Sequence, residues 1–432
     1  MAFAALLKSS SRTLLTTVAV TAIGFFTSVI TARILGPEGR GLLSGALLIA
    51  TLAGNASLFG LANTFIYHRG AGRPFNYGRF LVFSLLFVAC LSVMLAWVGM
   101  NVTDEAQLHA QLPLILVLTA VTAGQGYFYA LSQLHDGLHF FNLMRFLLVV
   151  GNLVLLLGLI AVLDVVDFRD ILIAQAVVAA FLTLLGIAWA RRNTVWKKVE
   201  TDNPPATWKG MLGYGASHHG TVLLSLFLVN FDKIALLNLG TIVEYGFYAL
   251  AFTTSRLIGA VQEAVSTALY SRFAGKDIDA LSHHVRVAFR VTFMPMLLLA
   301  ALGAALSPWL IKWVYGESFM SMTIPFAILL FECVITGASW TLAQRFNAGG
   351  RPGLVFVRQF ISVVPVFLAL PFLPKQDIHI YLSMLMLFGA VLRLTVTLGI
   401  YPLVLKERIP DMLPTMADCT AALRLFTRRS YG

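Results

Sequence analysis

The sequence is short of charged residues. They make up 12% of its 432 residues, whereas a soluble globular protein usually carries about 25%. Hydrophobic residues reach 58%, and the mean hydropathy is +0.82. This composition excludes a soluble enzyme of two or three domains. It also excludes a disordered chain, which needs low hydrophobicity and high net charge. We therefore predict a polytopic membrane protein with short loops.

Motifs for metals and nucleotides are also scarce. The three cysteines, Cys90, Cys333 and Cys419, lie far apart in the sequence, so they predict neither a disulfide framework nor a CxxC metal site. No GxxxxGK[ST] sequence occurs, and no glycine pattern has the spacing of a dinucleotide-binding turn. We expect no metal site, no bound cofactor and no ATPase within the chain.

Long apolar segments dominate the sequence instead. A membrane span takes about 20 mostly apolar residues, and twelve segments reach that length. They lie at residues 13–34, 42–66, 80–100, 112–134, 142–163, 171–190, 211–231, 243–269, 286–307, 322–344, 354–373 and 380–404. The first segment lacks a convincing cleavage site, so we interpret it as a retained span. The predicted fold is all-α, with about twelve transmembrane helices.

The Lys and Arg residues fall mainly on one side of these spans. With the N-terminus in the cytoplasm, 23 of the 31 lie on the cytoplasmic side and six on the other, while Arg256 and Arg393 lie inside apolar segments. Cytoplasmic loops accumulate Lys and Arg, so both termini are predicted to be cytoplasmic. The same rule accounts for the net charge of +11 without a nucleic-acid partner.

A polar linker at residues 191–210 divides the predicted spans into two halves. The N-terminal lobe is 1–190 with spans 1 to 6, the C-terminal lobe is 211–404 with spans 7 to 12, and 405–432 form a basic cytoplasmic tail. The halves resemble each other. The matching positions are Gly36, Gly41 and Arg69 with Gly240, Gly246 and Arg272, followed by Arg145-Phe146 with Arg358-Gln359-Phe360. An even number of spans per half predicts parallel repeats related by a pseudo-two-fold axis along the membrane normal, as in transporters.

Four stretches resemble a known family. They are residues 32–41 (ARILGPEGRG), 232–251 (DKIALL, then EYGFYALA), 315–319 (YGESF) and 346–352 (FNAGGRP). Their order and spacing are similar to those of the oligosaccharide-lipid (O-antigen type) flippases of the multidrug/oligosaccharidyl-lipid/polysaccharide exporter superfamily. The resemblance implies two six-helix lobes in a bacterial inner membrane. It also implies alternating-access transport of an undecaprenyl-pyrophosphate-linked glycan to the outer leaflet, for lipopolysaccharide or exopolysaccharide synthesis. Membrane lipids, a polysaccharide polymerase and glycosyltransferases are its expected partners.

Charged residues inside the spans are the candidate site. An ionisable group at mid-bilayer costs about 2.5–3.5 kcal/mol on insertion scales, so it usually faces a cavity or a partner. In the eighth span, Thr253, Arg256 and Glu263 share one helical face, with Gln262 beside it. This polar stripe favours a water-filled lumen. The alternative is that Arg256 and Glu263 each form a salt bridge with another helix, and that Arg393 pairs with Glu332.

A pyrophosphate group needs cationic, hydrated surroundings to cross the membrane. Arginine offers a planar donor fork that suits phosphate oxygens. We therefore predict substrate binding by side chains from both halves of the chain. These are Arg256 first, then Arg393 and Arg33, with Glu263, Gln262, Asn55 and Asn230 as polar partners for the sugar. Glu332 and Asp232 are candidates for H⁺ or Na⁺ coupling, which the sequence leaves open.

Two other functions stay open at this stage. A cation-coupled multidrug exporter of the same superfamily should favour an apolar, acidic site, whereas this chain has arginines in its spans. A membrane polysaccharide polymerase or glycosyltransferase usually needs a sizeable outer loop or a DxD-like carboxylate cluster. The outer loops here are short, and Asp277-Ile278-Asp279 lies in a short basic loop. We therefore expect a transporter and not an enzyme.

Overall fold

All regular secondary structure in the described part of the chain is helical. The computed structural model describes residues 2–134, 138–163, 165–193, 195, 197, 203–273 and 278–414. Residues 415–432 of the predicted tail lie outside this part. The α-helices are α1 (Ala2–Ser57), α2 (Leu61–Gly70), α3 (Tyr77–Gly99), α4 (Ala106–Ala110), α5 (Leu112–Leu131), α6 (His139–Val162), α7 (Phe168–Arg192), α8 (Trp208–Leu239), α9 (Ile242–Phe273), α10 (Ile278–Ala305), α11 (Ser307–Val314), α12 (Thr323–Asn347), α13 (Pro352–Ala369) and α14 (Ile378–Ile400).

Helix α1 is sharply bent in its middle. Gly36 has φ 63° and ψ −176°, a conformation open to glycine because it has no Cβ. Pro37 follows, and a proline inside a helix removes one backbone hydrogen bond. The two residues therefore divide α1 into two helical arms. The first arm contains the first predicted span, whereas the second predicted span begins in the second arm and continues into α2 after an interruption at 58–60.

The helices account for the twelve predicted spans. Ten described helical stretches are long and apolar enough to cross a membrane. One of them, Thr16–Gly70, contains both arms of α1. Helix α9 has the same 32-residue length as α8 but is not among the ten, because Arg256 and Glu263 interrupt its apolar run. With the bend in α1 and α9 both counted, the prediction of about twelve spans agrees with the structure.

The chain forms two compact units, residues 1–246 and 247–432. In the first unit α5 packs against α1, α3 and α7, and in the second α12 packs against α10, α13 and α14. This division groups α8 with the first seven helices. The division of the spans at residues 191–210 into two six-helix lobes stays a prediction.

Small residues let helices of the first unit approach closely. A Cβ at Gly186 of α7 would overlap the ring of Phe128 on α5, and one at Gly124 of α5 would lie 2.9 Å from Thr183 on α7. Phe128 belongs to a fully buried aromatic core with Phe65 and Phe80. In a membrane, lipid tails are as apolar as leucine, so such close packing supplies the association that the hydrophobic effect supplies in water.

The start of α9 packs against α1 just after its bend. A Cβ at Gly41 would overlap the backbone carbonyl of Ile242, and a Cβ at Gly246 would overlap that of Pro37. Gly246 also lies against the backbone of Gly41 itself. These are the two glycines that the comparison of the halves puts at matching positions. Both are required because backbone meets backbone here, and a carbonyl cannot move aside as a side chain can.

Candidate functional site

Arg256 of α9 forms an ion pair with Glu332 of α12 in the second unit. The distance from Nη2 to Oε2 is 2.5 Å, and the two side chains are 31% and 2% exposed. The Thr336 hydroxyl donates to the other carboxylate oxygen at 2.8 Å. The guanidinium lies over the ring of Phe252, 4.1 Å from its centroid. Glu332 is therefore held from two sides, while Arg256 keeps part of its surface exposed.

The polar stripe of α9 has an exposed side and a packed side. Thr253 and Glu263 are exposed. Gln262, in contrast, is fully buried and donates from Nε2 to the carbonyl oxygen of Val334 on α12 at 3.2 Å. Gly337 makes room for it, because a Cβ there would overlap the Gln262 amide. Gln262 thus ties α9 to α12, and Glu263 lies on the exposed side of α9, about two turns from Arg256.

Two further arginines of the second unit are linked to this ion pair, Arg393 directly and Arg358 through Arg393. Arg393 of α14 hydrogen-bonds Gln359 at 3.5 Å and is near enough to Arg256 and Glu332 to interact with both electrostatically. Arg358 of α13 is 2% exposed and interacts electrostatically with Arg393. Within the described part of the second unit, the cluster therefore contains three guanidiniums and one carboxylate, so it carries an excess of positive charge.

Arg358 is held by hydroxyl groups. Its Nη1 donates to the Ser339 hydroxyl at 2.7 Å and to the Thr397 hydroxyl at 3.3 Å, and the guanidinium lies 5.5 Å from the centroid of the Trp340 ring. Among the described residues no carboxylate pairs with it. A buried cation without a counter-ion is costly, so Arg358 is a functional candidate that sequence reasoning missed.

The first unit contains an open cavity of about 280 Å³ between α1, α5 and α6, with a mostly apolar lining and a few polar side chains. Its lining includes Thr51, Asn55, Gln125, Tyr129 and Arg145. None of the described residues that line it is acidic. Hydroxyl, amide and guanidinium groups in one cavity supply the donors that phosphate and sugar oxygens require.

Arg145 is the one cation among the described residues that line this cavity. It donates to the Thr17 hydroxyl at 3.1 Å and lies 5.9 Å from the centroid of the Phe141 ring. Its remaining donors have no carboxylate partner among the described residues. The Gln125 side-chain oxygen is buried without a hydrogen-bond partner there, so the cavity also offers an acceptor for a ligand or for water. Asn55 bonds the carbonyl oxygen of Thr51 at 2.8 Å and is exposed.

The other predicted residues lie elsewhere in the first unit. Arg33 is exposed three residues before the bend of α1. Asp232 of α8 is fully buried, 3.6 Å from the ammonium group of Lys233. Lys233 in turn bonds Asn230 at 3.4 Å, and Asn230 donates to the carbonyl oxygen of Leu226. Asn230 and Asp232 thus belong to a small polar group on α8, while Asn55 lies in the cavity with Arg145.

A comparison with protein families identifies the chain. The family model described as polysaccharide biosynthesis protein matches residues 6–275, which is more than half of the sequence. The chain therefore belongs to the polysaccharide biosynthesis protein family, which confirms the resemblance drawn from its motifs. No curated protein sequence gives a significant match.

Solved structures show the fold. The lipid II flippase MurJ, in an inward closed conformation, matches with a TM-score of 0.67 at 10% identity over 89% of this chain and 86% of its own. A variant of the Vibrio cholerae MATE transporter VcmN matches at 0.58 with 14% identity, covering 91% and 95%. An inward-facing multidrug resistance MATE transporter of the MOP superfamily matches at 0.59 with 14% identity, covering 88% and 93%. MurJ and the MATE transporters share a twelve-span, two-lobe fold, so the predicted fold class is confirmed. The chain is a multi-pass membrane protein of that fold, and these relatives are flippases and transporters.

Proposed function

We propose that this protein is a flippase for an undecaprenyl-pyrophosphate-linked oligosaccharide. It moves the glycan from the inner to the outer leaflet of a bacterial cytoplasmic membrane by alternating access, with both termini in the cytoplasm. The flipped unit then serves surface polysaccharide synthesis, where polymerases and glycosyltransferases act before and after it. Its family and its fold support this proposal.

The observation that carries the proposal is the cavity around Arg145. The pyrophosphate of such a substrate is anionic, and the cavity holds a guanidinium with no acidic residue in its lining. Arginine binds phosphate oxygens with a planar fork of donors. Thr51, Asn55 and Gln125 supply hydroxyl and amide groups for the sugar. The polyprenyl chain is apolar and stays in lipid.

The charge cluster of the second unit supports the same substrate class. Arg256, Arg358 and Arg393 outnumber Glu332, and Arg256 keeps an exposed surface. An excess of cations within membrane helices favours an anionic substrate over a cationic drug.

For ion coupling, the proposal concerns only which of two acidic residues binds the coupling H⁺ or Na⁺. Asp232 and Glu332 are the buried acids among the described residues. Both acids have a basic partner, but the Arg256–Glu332 distance is 2.5 Å and the Lys233–Asp232 distance is 3.6 Å. We therefore take Asp232, the more loosely paired acid, as the better candidate for a coupling H⁺ or Na⁺. Dependence of transport on either gradient that survives in Glu332→Gln and is lost in Asp232→Asn would support this assignment. Equal loss in both would contradict it.

A cation-coupled drug exporter is the second candidate, because the MATE fold matches over most of the chain. A cationic drug requires an acidic or aromatic site. The cavity of the first unit instead offers Arg145, which would repel a cation. We therefore rank this candidate below the flippase.

The test uses purified protein in proteoliposomes. The probe is an undecaprenyl-pyrophosphate disaccharide with a fluorophore on the sugar, and dithionite bleaches only the fluorophores of the outer leaflet. We expect the protein to make the inner-leaflet pool accessible to bleaching, whereas protein-free liposomes keep it protected. A protected pool in the presence of protein would overturn the proposal, and export of a cationic dye by the same vesicles would favour the second candidate.

A further inference from the structure

The first unit has a second cavity, which also has a mostly apolar lining and one arginine among its described lining residues. It is an open groove of about 480 Å³ between α3, α5 and α7. Phe128 and Leu81 form its buried floor, and Val82, Leu85 and Ile187 are apolar parts of its lining. Arg191 is the one charged residue among the described residues that line it. The groove is thus apolar along most of its length and cationic at one end.

The polar end lies where α3 begins and α7 ends. Gly78 and Arg79 belong to the first turn of α3, and Arg191 and Arg192 belong to the last turn of α7. The Lys and Arg distribution assigns this end to the cytoplasmic side. Arg79, Arg191 and Arg192 are exposed, and among the described residues Arg191 has no ion-pair partner. The mouth of the groove is therefore positively charged.

The length of the groove limits what it holds. From Gly78 to Leu85 a helix rises about 10 Å, which is less than half of the roughly 30 Å thickness of the hydrocarbon core. An occupant therefore stays within one leaflet. Basic pockets between membrane helices on the cytoplasmic side suit anionic lipid headgroups. An acyl chain fits the apolar part, and a phosphate fits the cationic end.

We propose that this groove binds an anionic phospholipid of the cytoplasmic leaflet, with its phosphate at Arg191 and an acyl chain against Leu81, Val82 and Ile187. The site is separate from the cavity around Arg145, which lies between α1, α5 and α6. It does not depend on what the protein transports. A bound lipid at this place fills the gap between α3 and α7 and holds their cytoplasmic ends together.

The experiment labels the full-length purified protein in detergent with a photoreactive phosphatidylglycerol that carries a diazirine in its acyl chain. Peptide mapping then locates the label. We expect labelling of residues 78–85 or of the segment around Ile187. Unlabelled phosphatidylglycerol should displace the label, and phosphatidylcholine should not.

Three variants make the test specific. Arg191→Gln should lower labelling about fivefold, since one basic residue near an anionic headgroup contributes about 1 kcal/mol. Arg192→Gln removes the same charge one residue away, outside the groove lining, and should change labelling little. Ile187→Trp fills the groove and should abolish labelling while Arg191 is still present. Thermal unfolding of each variant checks that the fold is intact.

Several results would contradict the proposed lipid site. Equal losses in Arg191→Gln and Arg192→Gln would show only a general attraction to a basic surface. Competition by phosphatidylcholine would show a lipid contact without headgroup recognition. Displacement by undecaprenyl phosphate but not by phosphatidylglycerol would mean that the groove takes a polyprenyl lipid instead. Label that maps to other helices would mean that the groove is empty.

Discussion

Arg145 and Arg358 are each the seventh residue of their helix, α6 and α13, yet their guanidiniums have opposite surroundings. Arg145 lines an open cavity. Arg358 is buried beneath the hydroxyls of Ser339 and Thr397. The two arginines also hold matching places in the two halves of the sequence. Arg145 is thus accessible from its cavity, whereas Arg358 is buried between packed helices.

We expect the buried charge of Arg358 to lower the stability of the folded protein. Arg358→Met should give a melting temperature equal to or above that of the unchanged protein. Burying a charge without a counter-ion is costly, so its replacement by an apolar side chain of similar length removes that cost. Ser339 and Thr397 keep a partner, because their hydroxyls already lie 3.0 Å apart. Thermal unfolding in detergent measures the effect.

The control for Arg358→Met is Arg345→Met, in the same unit. Arg345 is also buried, but it forms an ion pair with Glu407 at 2.6 Å and donates to Ser282. Its loss leaves the Glu407 carboxylate without this partner, so Arg345→Met should lower the melting temperature. A clear drop in Arg358→Met, as large as that in Arg345→Met, would show that Arg358 stabilises the fold.

The ion pair between Arg256 and Glu332 predicts non-additive variants. Arg256→Gln leaves Glu332, which is 2% exposed, without its counter-ion and should destabilise the protein. The loss should be smaller than the about 3–5 kcal/mol of a fully buried pair, because Arg256 is 31% exposed. Arg256→Gln/Glu332→Gln should recover most of it. Thermal unfolding of the two single variants and the double variant measures the coupling, and strictly additive losses would contradict a direct pair.

The contact between Gly41 and the start of α9 predicts a strong effect of one methyl group. Gly41→Ala should destabilise the protein by about 1–3 kcal/mol, the usual cost of overpacking, because the new Cβ overlaps a backbone carbonyl. Gly24→Ala is the matched control, since Gly24 lies in the same helix with nothing within 4 Å of the added Cβ. It should be neutral or stabilising by up to about 1 kcal/mol. Equal unfolding temperatures for the two variants would disprove the close contact.

Much of the fold follows from hydropathy alone. The twelve apolar segments correspond to helices because backbone polar groups in lipid must be satisfied within the segment. The bend at Gly36 falls between the first two segments, where glycine and proline mark it. The sequence pattern does not show that α9 begins against α1, since that depends on the backbone contact between Gly41 and Gly246.

Less of the candidate site than of the fold could be predicted from the sequence. Arg256 was found because a charge inside an apolar run is conspicuous. Its partner is Glu332, the acid that the sequence analysis had paired with Arg393 as an alternative. Which arginine pairs with Glu332 depends on how α9, α12 and α14 pack. Arg145 and Arg358 lie within two turns of their helix starts, so the charge count placed them on the cytoplasmic side and not among the intramembrane charges. The matching Arg-Phe positions in the two halves were the signal that pointed to them.

The central claim is that Arg145, in the cavity between α1, α5 and α6, recognises the pyrophosphate of a lipid-linked glycan. Substitutions of Arg145 test it most directly. The measurement is the flipping rate of the fluorescent undecaprenyl-pyrophosphate disaccharide in proteoliposomes. Arg145→Gln should lower the rate at least about tenfold, which corresponds to roughly 1.4 kcal/mol. Arg145→Lys should be intermediate because it keeps the charge but loses the fork. Arg169→Gln, at an exposed arginine outside the cavity lining, should be unchanged. Full flipping by Arg145→Gln at normal protein stability would contradict the account.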